Sequence, residues 1–138
     1  MKFVRLQTAL ESHRAYMYSE EGGVLFVGKE HDLMGTDLSG VYLEGADLIE
    51  SNLSGANLEG ANLSAANLKG ANLVLANLSD ANLIETVLVE SNLTGANLSG
   101  SDLSWANLTR AKLAGADLRN AKTHHICLDE AYLMRTKF

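Results

Sequence analysis

A leucine stands at every fifth position through most of this chain, and no other feature restricts the fold as tightly. Residues 46–85 read ADLIESNLSGANLEGANLSAANLKGANLVLANLSDANLIE. With the central residue of each unit called i, the centres run from Leu33 to Phe138 and make 22 pentapeptides, the last cut short. Twenty of the 22 centres are leucine, the exceptions being Thr123 and Phe138. Position i−2 is Ala, Ser or Thr in 19 of 22 units, and i−1 is Asn or Asp in 15 of 22. Position i+2 is Gly in nine of 21.

A period of five suits neither a long helix nor a flat strand. On an α-helix, five steps turn each leucine about 140° from the last and spread the set over every face. On a strand, five steps reverse the face, so alternate leucines point into water. Burying all of them requires a corner every five residues. Four corners close a square coil of 20 residues, and 22 units make about 5.5 coils stacked about 4.8 Å apart. The expected fold is therefore an all-β solenoid, a quadrilateral β-helix. The central leucines fill the square. The small i−2 residues, such as Ala56, Ala61 and Ala66, fit inward beside them. The i−1 Asn or Asp bonds its side chain to nearby turn backbone. Gly55, Gly60, Gly70, Gly95 and Gly100 stand at i+2, where a corner asks for positive φ.

The A(D/N)LXX pattern, continuous at i−2, i−1 and i from Ala56 to Leu83, resembles the pentapeptide-repeat family. The resemblance covers residues 31–138 and implies a right-handed quadrilateral β-helix. The pattern departs at the C-terminal end, where Lys112, Lys122, Cys127, Tyr132 and Lys137 replace Asn or Asp. Thr86-Val87-Leu88 is a milder departure.

Residues 1–30 lie outside the repeat and are expected to form an N-terminal cap. Phe3, Leu6, Leu10, His13 and Met17 follow helical spacing, which gives an amphipathic helix near 3–19. Gly22-Gly23 stops it, and Val24-Leu25-Phe26-Val27 forms a short strand leading into the first coil. A solenoid needs such a cap on its open end.

Charge narrows the partners. Residues 31–109 carry ten acids against one base, Lys69, whereas residues 110–138 carry six bases against three acids. An acidic body disfavours direct binding to nucleic acid or to an anionic membrane and suits a basic protein partner. No apolar run is long enough to span a membrane. The N-terminus lacks a signal-peptide pattern, and the lone Cys127 fits a reducing compartment, so a cytoplasmic protein is expected.

A square interior of leucine and alanine offers no buried acid, base or nucleophile, and no insertion interrupts the repeats. The chain is therefore expected to be no enzyme and to need no cofactor. The repeated GxxxxG spacing lacks the Gly-Lys-Ser/Thr of a phosphate loop. His124, His125, Cys127 and Asp129 are the one group of ligand-type residues, and they lack a recognised zinc spacing.

The outward positions are what remain. Residues 20 apart stack in columns, and one i+2 column reads Gly45, Ala65, Glu85, Trp105, His125. Trp105, the only tryptophan, is expected to be exposed there and, with Glu85 and His125, marks a candidate interaction surface; Val74 and Leu75 add exposed apolar residues. Asp47, Glu50, Glu90 and Glu130 lie on one acidic face, Glu44, Glu85 and Asp102 on another, and Asp37, Glu59 and Asp80 on a third. The expected function is a non-enzymatic solenoid serving as a protein-interaction or structural module. The alternative is a DNA mimic acting on DNA gyrase, as the resemblance implies for members linked to quinolone resistance. The uncapped, basic C-terminal coil suggests a homodimer through that coil.

Overall fold

The computed structural model describes Leu6, Gln7, Leu10, Glu11, Gly28 and residues 33–138. From Asp37 to Lys137 parallel bridges join residues 20 apart, in four columns that each hold one i−1 residue per coil. Each coil thus has four faces and four corners, as the period of five requires.

The unit Ala61-Asn62-Leu63-Ser64-Ala65 shows how the backbone is satisfied. The Ala61 N–H closes a turn onto the Leu58 carbonyl at 3.0 Å. The Asn62 N–H reaches back to Val41 in the preceding coil at 2.9 Å. Those of Leu63 and Ala65 reach forward to Asn82 at 2.8 Å and Ile84 at 2.9 Å. The fifth, on Ser64, is met by the Asn62 side chain, whose Oδ1 accepts it at 3.2 Å. All five donors of the unit are paired, which is what burial of a repeating backbone demands. This is why i−1 is Asn or Asp: no other position supplies an acceptor for the i+1 N–H. From Asp37 to Asp117 every Asn or Asp at i−1 makes this bond. Asparagines also form ladders between coils, such as Asn97 to Asn77 at 3.1 Å and Asn77 to Asn57 at 3.0 Å.

The pairing leaves isolated bridges rather than long strands, because each unit gives two of its five residues to a turn. The corner is uniform. All 21 i+2 residues from Gly35 to Arg135 have positive φ, nine of them glycine and twelve not. Positive φ at only the second central residue is the pattern of a type II turn. The glycines were expected there; the twelve other residues show that ladder bonds on both sides of the corner override the local cost of a left-handed residue.

The core is continuous. The central leucines from Leu33 to Leu118 and the i−2 alanines from Ala46 to Ala116 are buried. Polar i−2 residues are reconciled by donating to carbonyls: Ser51, Ser91 and Ser101 each bond the leucine three residues back at 2.7 Å, and Thr86 bonds the Leu63 carbonyl at 2.9 Å. In residues 121–138 the corners and bridges persist, but Leu128 and Leu133 are only partly buried and Thr123 is exposed.

Leu6, Gln7, Leu10 and Glu11 are helical, with Leu6 buried in the core and Leu10 packed against it while Gln7 and Glu11 face solvent. The rest of the helix expected over 3–19 and the strand expected over 24–27 lie outside the described residues.

Candidate interaction surface at the Trp105 corner

A corner positions its i+2 side chain by holding φ positive, which points the residue away from the core. Trp105 sits there with φ 63° and is 59% exposed. Its own coil is tied to the next by the Trp105 N–H to the His124 carbonyl at 2.8 Å, and to the preceding one by Glu85 to Ser104 at 2.9 Å. Glu85, Trp105 and His125 therefore occupy successive rungs of one corner. Trp105 and His125 stack with ring centroids 4.0 Å apart and planes inclined 21°. This is a continuous aromatic surface, built from residues that contribute nothing to the core.

Val74 and Leu75 do not join it. They lie two units away in the coil, on the diagonally opposite corner, and Val74 is half-buried there rather than exposed as expected. Leu75 is 70% exposed, and its Cδ2 lies 2.8 Å from where a Cβ on Gly95 would stand. The candidate residues thus split into two separate surfaces, because a displacement of ten residues carries a side chain half-way round a 20-residue coil.

The acidic faces are partly neutralised from within. Arg110, in the column of Glu50 and Glu90, bonds Glu130 at 2.9 Å and approaches Glu90 at 3.8 Å. The Arg110 hydrogen bond holds the Glu130 carboxyl below its usual range. Lys122 pairs with Asp102 at 3.2 Å. Asp102 is also held low, chiefly by its hydrogen bond from Ser104. Asp47 is committed to the Ile49 N–H at 3.1 Å, and Glu44 accepts from Asn62 at 3.3 Å and from the Tyr42 hydroxyl. Sequence reasoning grouped the acids by face but missed these bases, although adding 20 to Glu90 or Asp102 finds Arg110 and Lys122.

At the C-terminal end, Asp117 is pulled down to about 2 by the Arg119 guanidinium bonded to it. Cys127 is half-buried and contacts the Thr109 hydroxyl at 3.3 Å. Among the described residues no three His, Cys, Asp or Glu side chains are placed to hold a metal ion. Also among them, no helix is long and apolar enough to cross a membrane.

Comparison with known proteins agrees with this architecture. The Pentapeptide repeats profile matches in eight copies, over residues 32–70, 61–100, 71–110, 86–122 and 101–138. The pentapeptide repeat protein Rfr23 from the cyanobacterium Cyanothece 51142 is 38% identical with a TM-score of 0.63, over 64% of this chain and 61% of that one. HetL, a pentapeptide repeat protein involved in heterocyst differentiation regulation from the cyanobacterium Nostoc sp. strain PCC 7120, is 32% identical with a TM-score of 0.55. That match covers 77% of this chain and 62% of HetL, so the chain spans less than two thirds of either relative. QnrB1, a plasmid-mediated fluoroquinolone resistance protein, is 16% identical with a TM-score of 0.31, over 78% of this chain and 68% of that one. No curated protein matches the chain significantly. With 20-residue coils, a leucine-filled square and the family profile running from residue 32 to residue 138, the chain belongs to the pentapeptide-repeat family.

Proposed function

We propose that this chain is a non-enzymatic, cytoplasmic interaction module that docks a protein partner on the Trp105 corner, on a right-handed solenoid closed at its N-terminal end by a helical cap. One observation carries the reading: the sole tryptophan is exposed at a left-handed corner position that favours glycine. Nothing in the packing needs it there, and tryptophan is among the residue types enriched at binding hot spots. The similarity to HetL, a protein involved in regulating differentiation, fits a role exercised through binding. The test is capture of partners by wild-type protein, Trp105→Gly and Glu59→Gln. A partner retained by wild type and Glu59→Gln but lost by Trp105→Gly supports the reading; equal retention by all three contradicts it.

A homodimer through the C-terminal coil is the companion proposal. Tyr132, Met134 and Phe138 are exposed there beside the half-buried Leu128 and Leu133, and a second copy would cover them. Sedimentation as a monomer at high micromolar concentration contradicts it. The DNA-mimic alternative loses ground to the ion pairs that Arg110 and Lys122 make on the acidic faces. A supercoiling assay with DNA gyrase that shows no inhibition disposes of it.

A further inference from the structure

We infer that the Trp105 corner receives an arginine side chain from a basic peptide segment of its partner, the guanidinium stacking on the indole face and pairing with Glu85. This rests on the docking role proposed for the corner and names the chemistry it selects. His125 covers one face of the Trp105 ring at 4.0 Å. With that face occupied, 59% exposure leaves the opposite face, on the side of the preceding coil, to solvent. Glu85 is the exposed residue on that side, and among the described residues it belongs to no ion pair. Beyond Glu85 the column continues as Ala65 and Gly45, so no bulky side chain obstructs a segment lying along the corner.

Charge selects a cation. The two faces that meet here are built from residues 41–50, 61–70, 81–90, 101–110 and 121–130, which carry eight acids against three bases. The other two, from residues 33–40, 51–60, 71–80, 91–100, 111–120 and 131–138, carry four acids against four bases. Two of the three bases near the corner are already held, Arg110 by Glu130 and Glu90 and Lys122 by Asp102. An anionic segment is repelled, and a neutral apolar one leaves Glu85 without a partner. Arginine fits better than lysine because its planar group stacks on an aromatic face and forks to a carboxylate at once.

The only tryptophan is its own reporter. Hexa-arginine, hexa-lysine and a neutral leucine–serine hexapeptide are titrated into the full chain at low ionic strength, read by Trp105 emission and by calorimetry. Hexa-arginine is expected to bind saturably, to perturb the emission, and to bind more tightly than hexa-lysine. In calorimetry Trp105→Gly weakens it about fivefold, within the range of an exposed cation–π contact. Glu85→Gln weakens it about threefold, as loss of an exposed ion pair does. Glu59→Gln, on the neighbouring corner, leaves it unchanged. Equal weakening by Glu59→Gln and Glu85→Gln reduces the effect to diffuse attraction and overturns the inference, as does undiminished binding to Trp105→Gly. If the neutral peptide alone binds and perturbs Trp105, the cation claim fails while the docking corner stands. If no peptide binds, the arginine site is rejected, and the partner capture described above decides the docking role separately.

Discussion

The body of the solenoid, residues 33–118, and its last coil, residues 119–138, share a backbone but differ in how it is supported. In the body each central leucine is buried and each Asn or Asp at i−1 braces the N–H two residues on. In the last coil i−1 is Lys122, Cys127, Tyr132 and Lys137, none of which accepts that N–H, and the leucines are half-buried. Yet positive φ continues to Arg135 and bridging to Lys137. The comparison teaches that the ladder from the preceding coil sets the shape, whereas the asparagine brace and leucine burial set how firmly that shape is held.

The largest expected contrast is in the core. Leu83 is fully buried between coils, so Leu83→Ala should cost about 3 kcal/mol in denaturant unfolding. Leu128→Ala, at a partly buried centre, should cost about 1 kcal/mol. Equal losses would mean that the last coil is as tightly packed as the body.

The brace comes next. Asn82 accepts the Ile84 N–H at 3.2 Å and donates to Asn62 at 3.0 Å. Asn82→Ala leaves a half-buried donor unmet and should cost about 1–2 kcal/mol. The reverse change, Lys112→Asn, offers an acceptor to the Ala114 N–H and should gain about 0.5 kcal/mol. A loss from Lys112→Asn would break the rule that the brace, and not the residue's charge, is what i−1 contributes.

Corners follow. A Cβ on Gly55 meets nothing within 4 Å, so Gly55→Ala isolates the cost of φ at +65°. Destabilisation by about 1 kcal/mol is expected from midpoint shifts in chemical unfolding.

The smallest effect is a pH dependence near the C-terminal end. Asp117, Asp102 and Glu130 have folded values below their ordinary ones, so ionising them favours the folded state. Their contribution is fully present above about pH 5 and is lost progressively as pH falls, for Asp117 through about 2. Thermal melts across that window should show a smaller acid loss in Asp117→Asn, which keeps an acceptor for the Arg119 N–H but drops the charge.

How much of this was legible in the sequence varies with the physics behind each feature. The square coil was legible because burying a leucine every fifth residue has few geometric solutions. The role of Asn and Asp at i−1 was legible as turn chemistry, though its completeness, one acceptor for the one N–H the ladders leave over, needed the coil assembled. The nine corner glycines signalled positive φ, but Glu90, Trp105 and Arg110 did not, since a left-handed residue costs only about 1–2 kcal/mol and the ladder outweighs it. Columns such as Glu85–Trp105–His125 followed from adding 20, but the ring stack was not read from the residues alone. The split between Trp105 and Leu75 was missed because exposure was judged residue by residue and not by corner.

The central claim is that the fold does not need Trp105 and the partner does. Its most direct test is the unfolding midpoint of Trp105→Gly, followed by circular dichroism because the mutation removes the fluorophore. Loss of the stack with His125 costs about 0.5–1.5 kcal/mol, and glycine relieves a left-handed tryptophan of a similar amount. The account expects a variant within about 1 kcal/mol of wild type. Destabilisation by about 3 kcal/mol, the scale of a lost core aromatic, would contradict it and make Trp105 part of the structure rather than of the surface that binds.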